Sequence, residues 1–206
     1  WAQHVPKSVS RLTEAFWPGP LTLLLHKAEH VSSVITGGHD TIALRVPDQP
    51  IFRRVLNDSG LALAAPSANR YKKLSPTSAE QVIEGMDGRI AGAVDGGNCN
   101  YGLESTILSL VANQPTIVRS GPIGRSALKE VLECEVLAPK QHNVAVPGNV
   151  GAHYQPNAKL RMVSPSELIK QSAGHDNACM VCASTTKQAL LNAGVTEDRI
   201  LFLGED

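Results

Sequence analysis

The segment Leu61-Ala-Leu-Ala-Ala-Pro-Ser-Ala-Asn69 constrains this 206-residue chain more than any other. Its apolar run has the length and the hard stop of a strand buried on both faces. Pro66 ends the run, so the hydroxyl, carboxamide and guanidinium groups of Ser67, Asn69 and Arg70 fall on the loop that follows. In α/β sheets, ligands gather just past the carboxyl ends of strands. Ser75-Pro-Thr-Ser-Ala-Glu80 then reads as a helix start. Ser75 is a candidate N-cap with Pro76 in the first helical position, and Thr77 with Glu80 is a competing capping box. A strand, a polar loop and a helix N-terminus together make an anion site out of backbone N–H groups.

Hydrophobic periodicity extends this α/β reading along the chain. Helices are expected near residues 8–17, 49–58, 77–86 and 124–133. Strands are expected at Leu21–His26, Thr41–Val46, Leu61–Ala65, Ala91–Val94, Thr106–Val111 and Thr116–Arg119. Their order in the sheet is not legible. From Glu135 to Ala158 the periodicity vanishes and Pro and Gly punctuate the run, which marks a linker or a functional loop. That stretch carries His142, His153 and Tyr154, side chains that a plain spacer has little use for. Beyond it, Lys159–Val163, Ser164–Ala173, Ala178–Ala183, Thr185–Ala193 and Arg199–Leu203 read β-α-β-α-β, the first half of a doubly wound domain.

Nineteen basic and nineteen acidic residues cancel, so no electrostatic footprint for nucleic acid is visible and stable tRNA binding is not expected. A local patch of Arg70, Lys72 and Lys73 reads as a solvated loop or a small basic site. Four cysteines do not form the pattern of a disulfide framework, and neither a signal peptide nor a membrane-length apolar run occurs. A cytoplasmic, membrane-free protein is expected. Cys179-Met-Val-Cys182 has metal or redox spacing. On a strand, however, residues three apart face opposite ways, which favours structural cysteines and no metal site.

Three further segments carry candidate chemistry. Trp17-Pro-Gly-Pro20 is a rigid turn feeding a strand, and Thr22 places a hydroxyl there that costs free energy unless paired; a substrate contact and a structural bond both remain open. Asp95–Thr106 is glycine-rich and ends in the hydroxyls of Ser105 and Thr106, so it is either a phosphate-cradling loop or a plain turn. It lacks the Lys-Ser/Thr ending of a P-loop, and no G-x-G-x-x-G occurs in the chain. Arg119-Ser-Gly121 ends a strand with a guanidinium suited to phosphate or carboxylate, or to a surface ion pair. With no Ser-His-Asp order and no H-E-x-x-H, the chemistry indicated is positioning and charge stabilisation of a phosphate-bearing substrate.

Taken as a series, these pieces resemble the YrdC-like threonylcarbamoyl-AMP synthases in their longer form. The matching segments are Phe16–Thr22, Ala43-Leu-Arg-Val-Pro47, Ala64–Arg70 with Ser75-Pro-Thr77, Asp95-Gly-Gly97 with Gly102-Leu-Glu-Ser-Thr106, Arg119-Ser-Gly121, Pro147-Gly148 and His153-Tyr154. The resemblance implies a YrdC-like twisted mixed sheet with helices over 1–134, a linker or lid over 135–158, and a partial Rossmann-like βαβαβ domain over 159–206. It also implies a reaction in which L-threonine, bicarbonate and ATP, with Mg²⁺, give threonylcarbamoyl-AMP and pyrophosphate. Downstream proteins would transfer the group to tRNA. By the same resemblance Ser67 and Asn69 match a Ser-x-Asn signature, and Ser75, Ser105 and Arg119 contact nucleotide or phosphate. Thr22 lines the pocket, and Tyr154 belongs to a lid that shields a hydrolysable mixed anhydride from water. The family's Lys-x-Arg half is expected before Trp1, so a fragment or shortened homologue is expected, weakly active or inactive as it stands. The alternative is a non-catalytic nucleotide- or RNA-binding homologue of the same fold.

Overall fold

The computed structural model describes residues 1–139, 158–172, 174 and 177–203. They belong to two compact units, Trp1–Gln155 and Pro156–Asp206. In chain order the first unit comprises α1 (Ser8–Phe16), β1 (Leu21–His26), β2 (Thr41–Leu44), α2 (Pro50–Ser59), α3 (Ala79–Met86), β3 (Thr106–Ser109), β4 (Thr116–Arg119) and α4 (Arg125–Leu132).

Four strands form one mixed sheet in the order β2-β1-β3-β4. β1 runs antiparallel to β2 and parallel to β3, and β3 runs antiparallel to β4 with an irregularity between Ile107 and Leu108. Alternation along β1 sends Leu21, Leu23 and Leu25 to one face, where they join Leu108, Leu110 and Ile117. Leu12 of α1 and Leu128 and Leu132 of α4 close over that face and form the main core. The opposite face holds a smaller cluster, Leu24, Ile107 and Val118.

The helices start and stop where local chemistry dictates. Gln49 accepts from the Phe52 N–H at 2.7 Å, Pro50 opens α2, and Gly60 closes it at φ 64°, the Pro-in, Gly-out asymmetry of a capped helix. α3 starts later than the sequence suggested. Ser78, not Ser75 or Thr77, is its N-cap and accepts from Gln81 N at 3.3 Å, while the Gln81 side chain returns to the Thr77 N–H at 2.9 Å. The box pairs Ser with Gln, so Ser75 is left for other work.

Three expected strands are absent among the described residues. Leu61–Ala65, Ala91–Val94 and 159–163 run without sheet pairing. Leu61 and Leu63 are 62% and 46% exposed, the reverse of the expected two-sided burial. An apolar run favours an extended backbone, but a strand exists only when a neighbour takes up its N–H and C=O groups. No described strand lies beside these segments.

The first residues assigned to the linker also belong elsewhere. Val136 is fully buried in the main core, and Leu137 exchanges backbone bonds with Pro115 and Ile117. The first unit therefore runs past residue 134. Tyr154, with the rest of the expected lid motif, lies outside the described residues.

The second unit holds α5 (Pro165–Ser172), β5 (Met180–Cys182), α6 (Ser184–Asn192) and β6 (Ile200–Phe202). β5 and β6 pair in parallel, joined through α6, so two strands of the expected three are present. Met180, Cys182, Leu190, Val195 and Ile200 form its core. Cys182 is buried and Cys179 exposed, so the two thiols occupy opposite environments, as strand alternation demands. No described helix is long and apolar enough to cross a membrane.

Candidate functional site

Register decides which polar groups meet. Thr22 stands opposite Ile107 on β3, and Ile107 stands opposite Arg119 on β4. The three therefore share the sheet face away from α1 and α4, and Ser105, two residues before Ile107, joins them. Thr22 and Ser105 hydroxyls lie 2.7 Å apart, both side chains buried. Arg119 holds Ser105 twice, donating from Nε to its carbonyl at 3.0 Å and from Nη2 to its hydroxyl at 2.9 Å.

A second arginine has the same relation to the neighbouring strand. Leu44 pairs with Leu23, so Arg45 follows on the Thr22 side and donates from Nε to the Gly19 carbonyl at 2.8 Å. The turn it grips is held further by Trp17 Nε1 on the Leu21 carbonyl at 2.7 Å and by the Gly19 N–H on Val46 at 2.9 Å. Each arginine thus leaves the carboxyl end of an outer strand and braces the chain entering an inner one. The cluster sits where β2 and β4 end and β1 and β3 begin. The single strand terminus expected after Ala65 does not build it, because in a mixed sheet opposed strands bring both kinds of end together.

Burial is the largest influence on Arg45 and pushes its pKa down; Glu104 opposes that shift, and Arg119 adds to it by repulsion. The guanidinium nevertheless stays charged at any physiological pH. Arg45 is exposed as a whole residue, so the desolvation concerns the head group against the wall. Glu104 in turn accepts from Ser75 Oγ at 2.7 Å. Ser75 lies 3.5 Å from Asn69 Oδ1, too long to compete for the one hydroxyl proton. Asn69 spends its amide on the Arg70 and Lys73 carbonyls, both at 2.9 Å, and so closes the loop.

These groups border an open cleft of about 1810 Å³ in the first unit, lined by Arg45, Ser67, Ser75, Glu104, Ser105 and Arg119 among others. This exceeds an ordinary small-molecule pocket of roughly 300–1,000 Å³ and leaves room for a nucleotide with a second substrate. Of the residues singled out in the sequence, Ser67, Ser75, Ser105 and Arg119 reach the cleft. Thr22 does not; it is buried behind Ser105, and that bond accounts for a hydroxyl in an apolar strand. Asn69 fastens the loop. The glycine-rich stretch lines the same cleft from Gly96 to Ser105, and within it Asp95 accepts the Gly97 N–H at 2.9 Å, so that amide is already committed. Arg45 and Glu104 were missed as site residues. Their signal was a charged side chain just after one apolar strand (Arg45 after β2) and just before another (Glu104 before β3).

Ser105→Ala is expected to cost about 1–3 kcal/mol, because the buried Thr22 hydroxyl loses its partner. Urea melts of the single variant and of the Thr22→Val/Ser105→Ala double should show the second change recovering part of the loss. An undiminished midpoint in the single variant would contradict the pairing.

Comparison with known proteins agrees with this geometry. The family model Sua5/YciO/YrdC, described as "Telomere recombination", matches residues 1–121, and that of the "Threonylcarbamoyl-AMP synthase, C-terminal domain" matches residues 123–203. The chain is 40% identical to the threonylcarbamoyl-AMP synthase of Bacillus subtilis over 78% of its own length and 48% of the relative's. It is 38% identical to that of Pyrococcus abyssi over 82% of this chain and 52% of the other. The chain thus spans about half the length of these curated relatives. The crystal structure of P. abyssi Sua5 complexed with L-threonine superposes with a TM-score of 0.82 at 33% identity, covering 100% of this chain and 62% of that one. The mixed sheet, the two braced arginines and both matches lead to one assignment: the chain belongs to the Sua5/YrdC family, in the form that carries the threonylcarbamoyl-AMP synthase C-terminal domain.

Proposed function

We propose that this chain is part of an L-threonylcarbamoyladenylate synthase. L-Threonine and bicarbonate condense to a carbamate with loss of water. A carbamate oxygen then attacks the α-phosphorus of ATP, forming the mixed anhydride and releasing pyrophosphate. The observation that carries this reading is the pair Arg45 and Arg119, braced at the mouth of β1 and β3 beside the Ser105 and Ser75 hydroxyls. Fixed cations and hydroxyl donors stabilise charge that builds on phosphate oxygens without reorganising during the step. Arg119, oriented by its two bonds to Ser105, would hold the phosphates, with Arg45 beside it. Ser67 and Ser75 would contact the nucleotide from the facing loop. Tyr154 is assigned to nucleotide contact on the resemblance alone.

Among the described residues no three His, Cys, Asp or Glu side chains converge on a cation site. Mg²⁺ would arrive with the substrate as Mg·ATP, carried on phosphate oxygens whose charge it neutralises. Consumption of the product by tRNA threonylcarbamoyl-transferring proteins in the cytoplasm is part of the same proposal. The zero net charge supports passing on a small activated intermediate over holding tRNA.

The test is threonine-dependent pyrophosphate release with the nucleoside product identified by mass spectrometry. Threonylcarbamoyl-AMP is expected. ATP binding without turnover would leave a nucleotide-binding homologue, and no ATP binding would sink the reading. Asn69→Ala should raise the KM for ATP about tenfold by loosening the Ser67–Ser75 loop, with little change in the melting curve. An unchanged KM would remove Asn69 from the site.

A further inference from the structure

Glu104 lines the cleft together with both arginines and reaches the facing loop. Its backbone lies against Gly121, its side chain holds Ser75 Oγ at 2.7 Å, and the next residue is clamped by Arg119. A nucleotide site gains nothing in affinity from a negative charge next to its guanidiniums, since that charge repels phosphate. Something else accounts for it. We propose that Glu104 is a resident counter-ion of the Arg45–Arg119 pair, held partly out of the way by Ser75, that a bound phosphate must compete with and that hastens the departure of pyrophosphate.

This rests on the nucleotide-binding reading above. Without a ligand, Glu104 offsets the burial and the repulsion from Arg119 that disfavour the charge on Arg45. When phosphate oxygens arrive, they take over that role, and the carboxylate is left facing them, held by Ser75. Ser75 therefore sets how strongly Glu104 competes. Glu104 acts through the arginines and is a positioning residue, as is Ser75 in this respect.

The consequence is a pair of opposite signs that a merely structural role would not produce. Glu104→Gln keeps an acceptor for the Ser75 hydroxyl but removes the charge, so pyrophosphate and ATP should bind about tenfold tighter. Turnover should show a lower KM for ATP together with a lower kcat, because pyrophosphate leaves more slowly. Ser75→Ala releases the carboxylate toward the guanidiniums, so pyrophosphate should bind about threefold more weakly. The double variant should follow Glu104→Gln, since Ser75 acts through the charge that is gone.

The measurement is calorimetric titration of the 206-residue chain and the three variants with pyrophosphate and with ATP. Weakened or unchanged binding in Glu104→Gln overturns the proposal, as does tightened or unchanged binding in Ser75→Ala. Should Glu104→Gln fail to fold, Glu104→Ala takes its place with the same expected tightening, and unchanged or weaker binding there overturns the proposal. If the unaltered chain binds neither pyrophosphate nor ATP, the nucleotide reading itself has failed. If it binds both and the two variants move in the same direction, only the counter-ion role has.

Discussion

Arg119→Ala is expected to reduce the proposed threonylcarbamoyl-AMP formation about 10²–10³-fold, the usual cost of removing one preorganised donor from a site where charge develops. The geometry explains why the loss would be so large. Two bonds that orient the guanidinium end on Ser105, one on its carbonyl and one on its hydroxyl, so the group is aimed before any ligand arrives. Removing it also takes away the donors on that carbonyl and that buried hydroxyl, which costs about 1–3 kcal/mol of stability. Arg119→Lys should not restore activity, because an ammonium on a flexible stem cannot reproduce the planar fork that grips Ser105 at two points. Threonine-dependent product formation, measured beside a thermal melt, separates the two contributions. An Ala variant that retains a tenth or more of the activity would show that Arg119 does not hold the phosphates.

Gly121→Ala carries the largest expected effect on folding. A Cβ at this position would lie 2.7 Å from the Ser105 carbonyl carbon and closer still to the Glu104 carbonyl oxygen and the Thr106 N–H nitrogen. These atoms are the backbone entering β3, anchored by Thr106, whose hydroxyl donates to the Ile123 carbonyl at 2.9 Å and accepts the Ile123 N–H at 3.0 Å. Neither side can yield without breaking that reciprocal pair, so the substitution should cost about 3 kcal/mol. For a unit of this size that corresponds to a drop of roughly 6–12 °C in Tm. Activity should fall further than stability, because the displaced segment carries Glu104 and Ser105. A Tm within two degrees of the unaltered chain, read by calorimetry, would show that the β3 entry has slack (about half to one kcal/mol on the same scale).

Gly121 also shows where local reading stops. A glycine after Arg-Ser suggests a turn, and nothing in its neighbours announces that a chain sixteen residues back presses on its Cα (Gly121 against Ser105). The same holds for Arg45. It follows the apolar strand β2 as any solvated terminal charge would, and only the β2-β1 register turns it toward Thr22 and Gly19.

By itself the sequence determined the elements whose causes are local. α2 is legible from Pro50 and Gly60, α1 from the spacing of Val9, Leu12 and Phe16, and β1 from its leucines. Period and capping act within a few residues, so they survive without any knowledge of the fold. The series of short motifs that marks the family was legible for a similar reason, since residue order is preserved in the chain whatever its shape. Tertiary structure alone decided pairing. It left Leu61–Ala65 outside the sheet and placed Val136 in the core. It also brought Arg45, Glu104, Ser105 and Arg119 to one end of four strands from segments up to 74 residues apart, counting from Arg45 to Arg119. Hydrogen-bond register between distant strands is a property of the partner as much as of the segment, and no single segment carries it.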